Sequence, residues 1–215
     1  MIDLHTHTLF SDGALLPSEL ARRAKAAGYQ AMAFTDHVDG ANLFLVLENV
    51  GRVAAQGAAY HGLDILLGVE LTHVPPGLIP QLVETARMNG AQLVLAHGET
   101  IVEPVERGTN LAAIEAGVDI LAHPGLITPQ EAELAAKRGV HLEITTRKGH
   151  SLTNGHVAAM ARQFGAKLVI NNDAHAPGDQ VSREQRRRIA LGAGLTEDEY
   201  LQAEANSWAL VERCR

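Results

Sequence analysis

Cysteine is almost absent from the 215-residue chain, whose one thiol, Cys214, stands next to the last residue. An internal disulfide and a cysteine-based zinc site are both excluded, so any bound metal must rest on His, Asp and Glu. Long apolar runs are missing as well. No stretch reaches the roughly 18 residues that a membrane span requires, and no basic, signal-like region opens the chain. A cytoplasmic protein with no membrane association is the expectation. No Pro/Ser-rich linker divides the sequence, so residues 1–215 are expected to form one domain. Positive charge is in deficit, 18 Lys and Arg against 25 Asp and Glu for a formal net charge of -7, which argues against a surface built mainly to hold a polyanion. Walker loops, G-x-S-x-G elbows and H-E-x-x-H helices are all lacking.

What is present is an ordinary globular composition, 46% hydrophobic and 20% charged, with one oddity in its 11 histidines. Short apolar, β-branched runs at 1–5, 31–35, 64–69, 92–96, 119–122, 140–145 and 167–170 read as seven strands. Between them lie Ala/Leu/Glu/Arg-rich helical segments at 17–27, 42–60, 78–89, 111–116, 128–138 and 154–164, with two more at 182–191 and 197–213. This alternation predicts repeated βα units around a parallel sheet. Thr128, Pro129 and Glu131 form a helix start with a capping box, and Gly139 ends that helix.

On an extended segment residues two apart share a face, so His5 and His7 at the end of the first strand can bind one ion together. Further strands deliver Asp36 and His37, Glu70, His97, His123, and Asp173 with His175; the sixth strand delivers no ligand type, although Glu143 lies inside it. In parallel βα barrels functional groups gather at the C-terminal ends of the strands, where the loops converge. Imidazole and carboxylate together suit Zn, Mn and Fe, and carboxylates can bridge neighbouring ions for in-line displacement at phosphorus. A hydroxide bridging the ions is then the natural nucleophile, since bound cations lower the pKa of water to about 7.

In order, His5 and His7 with Ser11-Asp12-Gly13, Thr35-Asp36-His37, Gly68-Val69-Glu70, His97, His123-Pro124 and Asp173-Ala174-His175 resemble the motifs of the polymerase and histidinol phosphatase (PHP) family. The likeness runs from Asp3 to about His175. It implies a distorted (β/α)7 barrel, TIM-barrel-like, with two or three divalent metal ions (Zn, Mn or Fe) at the C-terminal ends of its strands. By the resemblance, His5, His7, Glu70 and Asp173 hold one ion, and Glu70 bridges to a second held by His97 and His123. A third falls to His37 and His175 with Asp12, where some relatives carry histidine. Glu70, Asp173 and His175 are the expected catalytic residues. The implied activity is hydrolysis of a small phosphomonoester, histidinol-phosphatase-like; the alternatives are a nuclease acting on DNA or oligonucleotides and a catalytically silent metal-binding module.

Arg147 and Lys148 follow the sixth strand and are candidates to meet an anionic substrate, with His150 and Asn154 as weaker ones. Asp3 and Asp36 are expected to orient ligand imidazoles or to cap turns. Asn171 and Asn172 are expected to orient the backbone around Asp173, His73 to line the pocket entrance, and His61, His141 and His156 to be structural. Arg183, Arg186, Arg187 and Arg188 read as a solvated helix face.

Overall fold

The structure, a computed structural model, describes residues 1–57, 59 and 62–215. The expected role of His61, and the end of the helix anticipated at 42–60, therefore lie outside the described residues. Within them the strands are β1 (Ile2–Asp3), β2 (Ala31–Phe34), β3 (His37–Val38), β4 (Asp64–Leu71), β5 (Leu93–His97), β6 (Ile120–Ala122), β7 (His141–Thr145) and β8 (Leu168–Asn171). All pair in parallel, in the order β1-β2-β4-β5-β6-β7-β8, and β3 is a short continuation beside β4 that sets His37 against Glu70. The helices are α1 (Pro17–Ala26), α2 (Leu43–Ala54), α3 (Ile79–Met88), α4 (Thr109–Ala116), α5 (Pro129–Arg138), α6 (Asn154–Phe164), α7 (Arg183–Gly192) and α8 (Glu197–Cys214). The result is the expected nearly closed barrel of seven parallel strands ringed by helices.

Helix ends follow local chemistry. Thr128 and Glu131 exchange hydrogen bonds as the anticipated capping box, with Pro129 at the first helical position and Gly139 left-handed at the C-terminus. Thr196 and Glu199 form a second such box at the start of α8.

The barrel wall sorts side chains by the two-residue period of a strand. Ala31, Ala33, Leu66, Leu93, Leu95, Ile120 and Val169 form one buried cluster, joined from below by Leu210 and Val211 of α8. Met32, Phe34, Val94, Leu121, Leu142, Ile144 and Ile170 belong to the other cluster, shared with the surrounding helices. Continuing the first series upward gives Glu70 after Leu66, His97 after Leu95 and Asp173 after Val169. One face of each strand is thus apolar in its lower half and ligand-bearing at its upper end.

Closure occurs at that upper end. β1 is only two residues long, and the seam with β8 is made by a parallel bridge between Thr6 and Ala174, in which His7 N donates to Ala174 O at 2.9 Å and Ala174 N to His5 O at 3.3 Å. The seam therefore sets His5 and His7 directly beside Asp173 and His175. Gly13 is required just above it, because a Cβ there would lie 2.3 Å from the His7 carbonyl oxygen.

The arginine run departs from expectation. Arg187 is an exposed partner of Glu197, but Arg186 is fully buried: its guanidinium donates to Ile2 O and Ile170 O and faces Glu204. Its surroundings are the bottom of the same seam, where the Ile2 carbonyl of β1 and the Ile170 carbonyl of β8 need a donor.

Candidate metal centre

Eight of the nine residues proposed as ligands from sequence lie in or near strand ends, and Asp12 lies on the loop after β1; the fold brings all nine to one end of the barrel. Potential ligand atoms fall into overlapping sets: His5, His7 and Glu70; His5, His123 and Asp173; His7, Asp12, His37 and His175; and His97, His123 and His150. Glu70 joins them. Its Oε1 lies 3.2 Å from His5 Nε2 and 3.8 Å from His123 Nε2, and its Oε2 lies 2.7 Å from His37 Nδ1 and 3.7 Å from His7 Nε2. Asp173 Oδ1 is 3.2 Å from His7 Nε2 and 3.6 Å from His5 Nε2, and its Oδ2 is 3.6 Å from His123 Nε2. Asp12 Oδ1 stands 3.5 Å from His37 Nε2 and 3.2 Å from His175 Nε2.

These groups converge without satisfying one another. His5 Nε2, both ring nitrogens of His7, Glu70 Oε1, His123 Nδ1 and Asp173 Oδ1 are buried and have no hydrogen-bond partner. Buried polar atoms left in that state are costly, and a converging cluster of imidazole nitrogens and carboxylate oxygens without partners fits cation binding. Spacing agrees: four ligands held at about 2.0–2.1 Å from an ion are about 3.3–3.4 Å apart, close to most of the separations above. Backbone strain is concentrated here too, since His123 and Asp173 adopt positive φ of 26° and 53°.

The electrostatics follow from burial and crowding. Burial alone would lower the His5 imidazole, but Glu143, Glu70 and Asp173 overturn this and hold it well above its usual range. For His7, burial together with the neighbouring His37 and His5 keeps the ring well below its usual range and hence neutral; burial and His97 do the same for His123. Burial would raise Glu70, yet His5 and His37 pull it well down, whereas Asp173 is raised by burial with Glu70 adding to the rise. Neutral imidazoles and at least one ionised carboxylate are the states that donate to a cation.

Outside this group, Glu143 is the residue that sequence reading missed. It lies inside β7, fully buried, with Oε1 2.9 Å from His5 Nδ1 and also accepting from Asn171 Nδ2 at 2.9 Å, while Oε2 accepts from His123 N at 3.1 Å. The sixth strand, expected to deliver nothing, thus fixes the His5 ring so that Nε2 faces the site. Glu143→Gln is expected to weaken divalent-metal affinity by about 10- to 100-fold with little change in secondary structure, as read by isothermal titration with zinc and by circular dichroism. Its signal was available: His141, Glu143 and Thr145 make a polar stripe that alternates with Leu142 and Ile144.

Asp3 and Asp36 do not touch an imidazole with their carboxylates. Asp3 accepts from Asn172 N and Nδ2, and Asp36 accepts from Thr8 N and Oγ1 and from Ser11 Oγ. Asn171 and Asn172, expected to orient the backbone around Asp173, bond instead across the seam, Asn171 Oδ1 accepting from Leu4 N and Asn172 Nδ2 donating to Asp3 Oδ2. Asn154 is consumed by Thr145 N and O, which takes it out of reach of a substrate. His141 and His156 bond to the carbonyls of Asp119 and Ile127, in keeping with structural roles.

A cavity of about 220 Å³ opens over the centre, lined by residues that include Asp12, His37, His73, His97, Glu103, Arg147, His150 and His175. Arg147 Nη1 pairs with Asp179 Oδ2 at 2.9 Å, which aims the guanidinium along the cavity wall. Lys148 is exposed and does not line the cavity. Glu103, also unanticipated, is held down to about 2 mainly by His97, whose Nε2 lies 3.2 Å from its Oε2.

A family model described as PHP domain matches residues 3–102. An uncharacterized protein of Methanocaldococcus jannaschii is 47% identical across 92% of this chain and 91% of its own length. A protein named probable phosphatase from Thermoanaerobacter sp. strain X514 is 30% identical across 92% of this chain and 88% of its own. The DNA polymerase/3'-5' exonuclease PolX of Bacillus subtilis is 28% identical across 80% of this chain but only 34% of its own length. Among solved structures the ochratoxinase of A. niger superposes with a TM-score of 0.64 over 97% of this chain and 70% of its own, at 13% identity, a likeness of fold alone.

Proposed function

The chain belongs to the PHP domain family, and from that premise we propose that this metal-dependent phosphoesterase, a hydrolase of phosphoric ester bonds, acts on a small phosphomonoester of the histidinol phosphate kind. The observation that carries the reading is the cluster of buried, unpartnered nitrogen and oxygen atoms on His5, His7, Glu70, His123 and Asp173 beneath a cavity of about 220 Å³. That volume is below the roughly 300–1,000 Å³ of pockets that enclose drug-sized ligands, so it suits a small ester better than a large one.

His5, His7, Glu70 and Asp173 would hold one ion, Glu70 with His97 and His123 a second, and Asp12, His37 and His175 a third; Zn, Mn and Fe all suit this donor set. Bound there, such ions polarise phosphoryl oxygens and make water a strong nucleophile near neutral pH. Arg147, held by Asp179, presents forked donors to phosphate, whereas Lys148, outside the cavity lining, is left without a direct role. Asp173 and His175 share the rim with Arg147, and the Asp173 backbone oxygen, 3.0 Å from His175 Nδ1, turns the other ring nitrogen toward the centre.

The test combines elemental analysis of the purified protein with a panel of phosphomonoesters, including histidinol phosphate and nucleoside monophosphates, and a single-stranded DNA degradation assay. Metal-dependent turnover of phosphomonoesters is expected, with DNA left intact. Degradation of DNA without phosphomonoester turnover would replace this reading by the nuclease one, and metal binding with no hydrolysis of either would leave a silent binding module.

A further inference from the structure

Resting on the metal-dependent reading above, we propose that the ion beside His97 and His123 takes His150 as a third imidazole ligand and Glu103 as a carboxylate ligand from the loop after β5. The family resemblance gives neither residue a role. His150 follows β7 in a short helical turn, reached through the left-handed Gly149. Its ring is buried, and its Nδ1 is engaged by Thr100 Oγ1 at 2.8 Å, which leaves Nε2 as the free nitrogen. A buried imidazole tied through one nitrogen and free at the other is the usual posture of a metal-ligating histidine.

Three imidazoles then converge from three strand ends. Ligand atoms of His97, His123 and His150 all lie within 4.8 Å of one another, a spacing that admits one ion among them. His97 is posed in the same manner, with Nδ1 on the Gly98 carbonyl at 3.1 Å.

Glu103 closes the open side. Its Oε2 lies 3.2 Å from His97 Nε2 and its Oε1 lies 3.4 Å from His150 Nε2. A charge-assisted hydrogen bond would draw such atoms to about 2.7–2.9 Å. The observed separations instead fall near the separation of about 3.3–3.4 Å expected between neighbouring ligands that would share one ion. His73 Nε2, 3.4 Å from Glu103 Oε2, stands behind the carboxylate and steadies it.

The consequence is chemical asymmetry within one centre. A site of three imidazoles with Glu103 and the shared Glu70 is still richer in nitrogen than the His5, His7, Glu70 and Asp173 site, so it favours zinc-like cations over harder ones such as magnesium and manganese. It also couples the loop carrying Glu103 to occupancy, because filling the site fixes that loop over the cavity.

The experiment is metal titration of the apo full chain, wild type and the variants His150→Asn and Glu103→Gln, with zinc by calorimetry and with cobalt by its visible absorption. Each variant is expected to weaken one class of site at least 10-fold and to change the cobalt spectrum, with the remaining sites unaltered. Glu103 is partly exposed, so its variant remains informative even if the buried His150 variant folds poorly. Unchanged zinc affinity, stoichiometry and cobalt spectrum in Glu103→Gln together with a folded His150→Asn, or in Glu103→Gln alone if His150→Asn does not fold, would overturn the assignment. Neither readout uses substrate, so failure of the phosphomonoester reading would leave the result standing.

Discussion

Glu70→Gln is expected to remove phosphoester hydrolysis, by at least about a thousandfold or roughly 4 kcal/mol of barrier, while the fold survives. One carboxylate reaches four imidazoles, and its Oε1 is buried with no hydrogen-bond partner. The amide keeps the shape but loses the charge and replaces one lone-pair donor with an N–H, so it cannot link two cations. Without metal the amide also loses the attraction of the carboxylate to His5 and His37, so the effect of metal on melting is read as the difference between each protein with and without chelator. For wild type, each ion at a hundred times its dissociation constant adds about 2.7 kcal/mol. In a domain of this size that raises the melting temperature by about 5–10 °C per site. The variant should lose the increments of the two ions that share Glu70, so that EDTA shifts its melting far less than it shifts that of wild type. Steady-state turnover with differential scanning calorimetry, with and without EDTA, provides the check. Full turnover by Glu70→Gln would remove Glu70 from the centre altogether.

How far the sequence reveals this centre depends on where each residue stands relative to a strand end. His37, Glu70, His97, His123 and Asp173 are legible because an apolar run terminates in a ligand type, and the parallel barrel turns that coincidence in sequence into proximity in space. Barrel closure is less legible: β1 is too short to pair fully with β8, and Thr6 with Ala174 carry no pattern that announces a bridge. Glu143 escapes a reading based on strand ends because it lies inside β7, and only the alternation of the strand points it inward. Glu103 lies on a loop, where no periodicity relates it to His97 or His150. For Arg186 the local composition misleads, since three neighbouring arginines and Glu184 describe a solvated face. What decides its burial is a demand for donors made by strands more than a dozen residues away.

Arg186→Ala is expected to be the most damaging single substitution to stability, at about 3–5 kcal/mol, or roughly 6–20 °C in melting temperature. The fully buried guanidinium bonds to Ile2 O at 2.5 Å and to Ile170 O, and its Nε lies 2.9 Å from Glu204 Oε1 as an ion pair rather than an aligned hydrogen bond. Truncation strands both carbonyls and a largely buried carboxylate. It also strips Asp3 of compensation: burial pushes that carboxyl up to about 6, and Arg186 is the chief influence holding it down. An acid with a raised folded pKa binds more protons folded than unfolded, so its contribution to stability falls as pH rises from about 4 through about 6. Without Arg186 the folded pKa rises further, the window extends upward, and the deficit against wild type should be larger at pH 8 than at pH 5. Urea denaturation at the two pH values measures it, and an equal deficit at both would separate Asp3 from Arg186. The damage should reach the centre as well. Arg186 joins β1 to β8 at the bottom of the seam, Asp3 and Asn172 join them one step higher, and Thr6 with Ala174 join them at the top. His5 and His7 lie on one side of that seam and Asp173 and His175 on the other, so loosening its base weakens zinc binding at a site whose ligands Arg186 never touches.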